Sequence, residues 1–111
     1  YLQYAHARAQ SILNKAEQVN TEITDLTDGE RSLARKITEF NEVIAVAVAD
    51  LLPHHICTYL YELAQTFNRF YENNRVIDDA RQAQRLILVK IYAETLKNGL
   101  NLLGISAPDK M

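Results

Sequence analysis

A single cysteine, Cys57, leaves this 111-residue chain without an internal disulfide. It reads most simply as a small buried apolar side chain in a protein of a reducing compartment, and a cytoplasmic location is expected. Glycine is scarce too: Gly29, Gly99 and Gly104 stand far apart, so no phosphate-cradling glycine loop can be built. Neither sign of charge dominates. With 12 basic against 14 acidic residues and a formal charge of −2, no broad basic field draws in a polyanion, and any nucleic-acid site has to be local. No apolar run approaches the roughly 20 residues that cross a bilayer, and the opening residues lack the apolar core of a signal peptide, so no membrane partner is expected. Pro, Gly and Ser never gather into a linker or low-complexity tract, which excludes disorder for a chain with 48% hydrophobic residues. The length holds one core, so residues 1–111 read as one domain. A first residue Tyr1 in place of Met points to an excised or processed piece of a longer protein.

What is present is helical periodicity. Leu2, Ala5, Ala9, Ile12, Leu13 and Ala16 recur along one face and predict a first helix ending near Asn20. Thr27 with Glu30 three residues on is a capping box, and Asp28 adds negative charge where the helix dipole favours it. Leu33, Ile37, Phe40, Val43, Ile44, Ala47, Val48 and Leu51 continue that second stripe. Pro53 ends it and suits the opening turn of a third helix with the face Ile56, Leu60, Leu63, Ala64, Phe67, Phe70 and Tyr71. The turn-prone Asn73 and Asn74, with Asp78 and Asp79 as capping candidates, mark the next junction. Leu86, Val89, Ala93, Leu96, Leu100 and Leu103 form a fourth stripe, closed by Gly104. Nothing alternates with period two over a strand's length. The expectation is an all-α bundle of about four long helices joined by short loops.

Few residues carry chemistry. His54 and Cys57 can share a helix face, but zinc needs three or four protein ligands and only His6 remains outside the His54–His55 pair, so no metal site is expected. No signature of a nucleophile with its base surrounds Cys57 or any serine, so no catalytic residue is assigned. The aromatic residues differ. In "YLQYAHAR", Tyr1, Tyr4 and Arg8 fall at i, i+3 and i+7, which sets two rings and a guanidinium on one strip. Tyr71 lies near the end of the third helix beside "ENNR" and Arg75. Such tyrosines commonly pack their rings and wet their hydroxyls. A ring followed four residues later by an arginine is also what reading single-stranded RNA requires. From the residues alone, the chain is an all-α binding module of open ligand.

Three blocks in order, "YLQYAHAR", "LLPHHICTYLYELAQTFNRFY" and "LKNGLNLLGISAPDKM", resemble the C-terminal anticodon-binding domain of arginyl-tRNA synthetases, the helical domain named after a DALR motif. The resemblance covers nearly the whole chain and weakens in "TEITDLTDGE" and "VIDDARQAQ". It implies an all-helical domain that follows a class I catalytic domain in the same chain and grips the anticodon stem and loop of arginine tRNAs. It also implies site residues: Tyr4 and Arg8 on anticodon-loop nucleotides, Tyr71 stacked on a splayed base, and Met111 closing the pocket. Asn74 and Gln3 are added because they are near in sequence. ATP and magnesium would serve the parent enzyme and no cofactor this fragment; no DNA partner is expected.

Arginine codons have guanine in the middle, so the anticodon presents cytosine there, and a backbone carbonyl or the terminal carboxylate near Met111 could accept from its amino group. The Asp-Ala-Leu-Arg tetrapeptide is absent, as are the class I signatures His-Ile-Gly-His and Lys-Met-Ser-Lys-Ser, so the fragment by itself is not expected to aminoacylate tRNA. Two alternatives stay open: a helical protein-interaction module, and the equivalent domain of another synthetase such as the glycyl beta subunit.

Overall fold

The computed structural model describes residues 1–15, 26–50 and 53–107. Among them are five α-helices and no strand: α1 (Leu2–Lys15), α2 (Asp28–Thr38), α3 (Phe40–Asp50), α4 (His54–Asn73) and α5 (Gln82–Leu102). The expected helix end near Asn20, the stripe positions Ala16 and Leu51, and Met111 lie outside the described residues.

The all-α expectation holds. α2 starts at the expected capping box, in which the Glu30 amide donates to Thr27 Oγ1 at 3.2 Å and the Thr27 amide donates to Glu30 Oε1 at 3.0 Å. The second stripe is divided: the chain turns at Glu39 and restarts as α3. The cause lies in the following helix. The buried Tyr59 hydroxyl donates to the carbonyls of Lys36 and Ile37, which an unbroken helix would bond to amides one turn on. Burial pushes the Tyr59 phenol up from its ordinary range.

α4 and α5 form the middle of the molecule. α2 and α3 lean mainly on α4, and α1 lies chiefly against α5. α4 buries Ile56, Tyr59, Leu60, Leu63, Ala64, Phe67 and Phe70, the predicted face. Cys57 is exposed, which corrects its reading as a buried thiol. It follows Ile56 by one position, a rotation of about 100° that carries it off the apolar stripe. α5 is buried over a wider arc than its stripe predicted, adding Leu88, Tyr92 and Thr95, because α1 covers one flank while α2 and α4 cover others. α4 and α5 approach closely at Gly99, where a Cβ would sit 2.6 Å from Leu60 Cδ2. α5 ends as a Schellman motif: the Ile105 amide reaches Leu100 O at 2.8 Å and the Gly104 amide reaches Asn101 O at 3.0 Å, with Gly104 at φ +77.

Candidate functional site

The strip at the start of α1 is partly anchored. Tyr1 sets its ring 5.1 Å from that of Tyr61 on α4, and its hydroxyl accepts from Asn68 Nδ2 at 2.9 Å. Tyr4 stays 55% exposed, and the exposed Arg8 makes no ion pair among the described residues. α1 therefore offers one fixed ring, one open ring and one uncompensated guanidinium.

Tyr71 comes to the same region from the other end of α4. Its ring stacks on Phe67 with centroids 5.9 Å apart and 13° between planes, and Phe67 stacks on the buried Tyr92 at 4.1 Å and 7°. Burial pushes the Tyr92 phenol far above its ordinary range. Phe67 thus links Tyr71 and Tyr92 in a ladder of three rings, and its neighbour Asn68 holds Tyr1. Tyr71 is half-buried and lines a cleft of about 330 Å³ with Asn74, Arg75, Val76, Ile77 and Asp78.

The loop that walls this cleft is held by a buried charge cluster. Glu30, fully buried at the start of α2, receives both Oε atoms' worth of contact from Arg81, each at 2.8 Å, and a bond from Arg85 Nε at 2.6 Å. Hydrogen bonding from Arg81, against the opposing effect of burial, holds the Glu30 carboxyl down at about 2. Arg85 also donates to Arg75 O at 2.7 Å, and that bond pins the loop. Within the loop, Asp78 adopts φ 62 and its amide donates to Gln82 Oε1 at 2.6 Å, while the Arg81 amide donates to Asp79 Oδ2 at 2.8 Å. Asp79 thus supports the turn, but neither Asp78 nor Asp79 caps α5 as expected: the N-cap is Arg81, without a side-chain cap bond.

The remaining expected residues occupy supporting positions. Asn74 donates to Phe70 O at 2.8 Å, closing the end of α4, and packs against Gly29 of α2. Gln3 donates to Ser106 O at 2.9 Å, which draws the segment after α5 back to the start of α1. His54 and His55 pair their rings at 4.4 Å in the first turn of α4. Among the described residues no three His, Cys, Asp or Glu gather closely enough to hold a metal ion.

Sequence reasoning missed Tyr92, Arg81 and Arg85. One signal was available: Arg85 lies four and eight residues before Val89 and Ala93, on the apolar face of its helix, where a buried arginine needs a carboxylate. In chemical terms, the face offers flat rings and a guanidinium with no carboxylate partner among the described residues. These are groups that stack bases and contact base edges or phosphate.

The family described as DALR anticodon binding domain matches residues 2–111. The arginine–tRNA ligase of Listeria welshimeri is 45% identical over the whole of this chain, which spans 22% of that protein. That of Thermococcus kodakarensis is 41% identical, again over the whole chain, which spans 19% of it. The solved arginyl-tRNA synthetase of Thermus thermophilus superposes with a TM-score of 0.91 at 38% identity, covering all of this chain and 21% of its own. The chain therefore spans about a fifth of the length of these relatives.

Proposed function

This chain belongs to the DALR anticodon-binding domain family, and from that membership we propose that it reads the anticodon of arginine tRNAs as one domain of an arginine–tRNA ligase. The observation that carries the reading is the family match across residues 2–111. The relatives named above are arginine–tRNA ligases, which favours arginine over the glycyl enzyme. Adenylate formation and acyl transfer, with ATP and magnesium, belong on this reading to a catalytic domain of the same polypeptide, and the cytoplasm is its setting. The present domain contributes positioning.

In this function Tyr4 and Arg8 contact loop nucleotides, and Tyr71 presents its ring to a splayed base above the Phe67–Tyr92 stack. Asn74 and Gln3 act by holding the ends of α4 and α5 in place, since their amides already donate to Phe70 O and Ser106 O. Met111 closes the pocket, with a backbone carbonyl near it accepting from the cytosine amino group.

The test is a titration against an RNA stem-loop carrying an arginine anticodon and against a copy with the middle cytosine replaced, at low and moderate salt. Preference for cytosine is expected, and Tyr71→Ala should remove about 1–3 kcal/mol of it. Arg8→Ala should weaken binding and flatten the salt dependence. With a formal charge of −2, the domain alone binds weakly; submicromolar affinity at physiological salt contradicts this account. Equal binding of both stem-loops by the wild-type chain refutes base reading.

A further inference from the structure

Around the junction of α2, α4 and α5, Arg31 pairs with Asp28, Arg75 with Asp78, and Arg81 and Arg85 with Glu30. Arg69, near the end of α4, is exposed and makes no ion pair among the described residues. A guanidinium left uncompensated beside neutralised ones is where an outside anion gains most.

The surroundings of Arg69 suit an anion. It lines a cleft of about 290 Å³ between the start of α2 and the end of α4, with Gly29, Ser32, Thr66, Asn73 and Asn74, and none of the described lining residues is acidic. The Thr66 hydroxyl donates to Glu62 O at 2.8 Å, which turns its lone pairs to Arg69 Nη2 at 3.4 Å. That bond is long, so it steers the guanidinium while leaving most of its N–H groups for a ligand. Asn73 and Asn74 each direct one amide hydrogen to a carbonyl of α4, Arg69 O and Phe70 O, and keep a second. Position supplies the ligand: Asn74 also lines the Tyr71 cleft, so the two clefts meet at the end of α4.

We propose that the Arg69 cleft holds a backbone phosphate of the RNA strand whose base stacks on Tyr71, with the guanidinium taking two phosphate oxygens and Ser32 and Asn73 donating beside it. This role rests on the anticodon-reading function and adds the group that fixes the strand. Tyr71 receives a ring, and Arg69 sets the register in which that ring arrives without sensing which base it is.

The experiment compares Arg69→Ala, Arg69→Lys and the wild-type chain in titrations against the stem-loop with the middle cytosine and the copy with it replaced, over a salt series, with thermal melting alongside. Arg69→Ala should weaken binding of both stem-loops by the same factor, roughly five- to tenfold at low salt. It should also lower the slope of log affinity against log salt by about 0.7. Arg69→Lys keeps the charge and loses the planar fork, so it should restore the slope and only part of the affinity. The melting temperature should stay unchanged, because the side chain is exposed. Unchanged affinity and slope in Arg69→Ala overturn the proposal and leave anticodon reading standing. A loss confined to the cytosine stem-loop overturns it too, since Arg69 then senses the base. If the wild-type chain binds both stem-loops equally while Arg69→Ala still lowers affinity and slope, base reading fails and the phosphate site stands.

Discussion

Glu30→Gln keeps the side chain's shape and its acceptor for the Thr27 amide but removes the charge that Arg81 and Arg85 enclose. Two guanidinium groups then face an amide whose own N–H groups point at theirs. Breaking a buried ion pair from one side costs about 3–5 kcal/mol. Arg81 keeps 31% of its side chain exposed and can turn to water, whereas Arg85 at 8% cannot. The lower end, about 3 kcal/mol, is therefore expected. For a domain of this size that lowers the melting temperature by roughly 10–15 °C and removes a large fraction of a total near 5–15 kcal/mol. Urea titration followed by helical circular dichroism measures the loss, and a value under about 1 kcal/mol would place the cluster with ordinary surface pairs and refute the reasoning. An acid series gives an independent check. The folded carboxyl is held at about 2 against an ordinary 4.5, so its contribution is full above pH 4.5 and disappears as pH falls toward 2. The wild-type chain should lose roughly 3 kcal/mol to this group across that window. Glu30→Gln should lack that component, and parallel pH profiles of the two proteins would count against the cluster.

Three other substitutions probe the frame that holds the site. Tyr59→Phe leaves the Lys36 and Ile37 carbonyls without their side-chain donor and should cost about 1–3 kcal/mol in denaturant titration. Gly99→Ala gains about 1 kcal/mol of helix propensity but drives a methyl to 2.6 Å from Leu60 Cδ2, so a net loss of about 1–2 kcal/mol is expected; combining it with Leu60→Ala should make the pair less damaging than the sum, and additivity would show that the contact is not the cause. Gly104→Ala forces a side chain into φ +77 and should lower stability by about 1 kcal/mol with nothing to clash against, measurable as a shifted urea midpoint with an unchanged slope.

Local signals were legible in the sequence, and long-range ones were not. The Thr27–Glu30 box and the Gly104 stop involve neighbours within one turn, so spacing alone identified them. The face of α4 was equally plain, yet Cys57 was misplaced because a one-position offset separates core from solvent on a helix. Hydrophobic period runs unbroken across Glu39, so the division of the second stripe shows only once Tyr59 is seen to take carbonyls 22 and 23 positions upstream. Glu30 gave up its capping role to inspection but not its ionic one, whose partners lie 51 and 55 residues away. At the candidate site, the exposure of Tyr4 and Arg8 and the place of Tyr71 at the end of α4 agree with the strip and junction read from the chain. Tyr1 departs from the strip because Asn68 and Tyr61 hold it against another helix.

The pairing of α1 with α5 has a consequence for synthesis on the ribosome. Among the described helices α1 is translated before the others and finds its main mate in α5, the last of them, and Gln3 meets Ser106 across 103 positions. Until α5 emerges, Ala5, Ala9 and Ile12 lack the main surface that covers them and the Tyr92 ring that underlies the site has not been made. A nascent or prematurely terminated chain therefore displays Tyr4 and Arg8 on an unsupported segment. The face built around Tyr92 becomes available only to a polypeptide translated through α5.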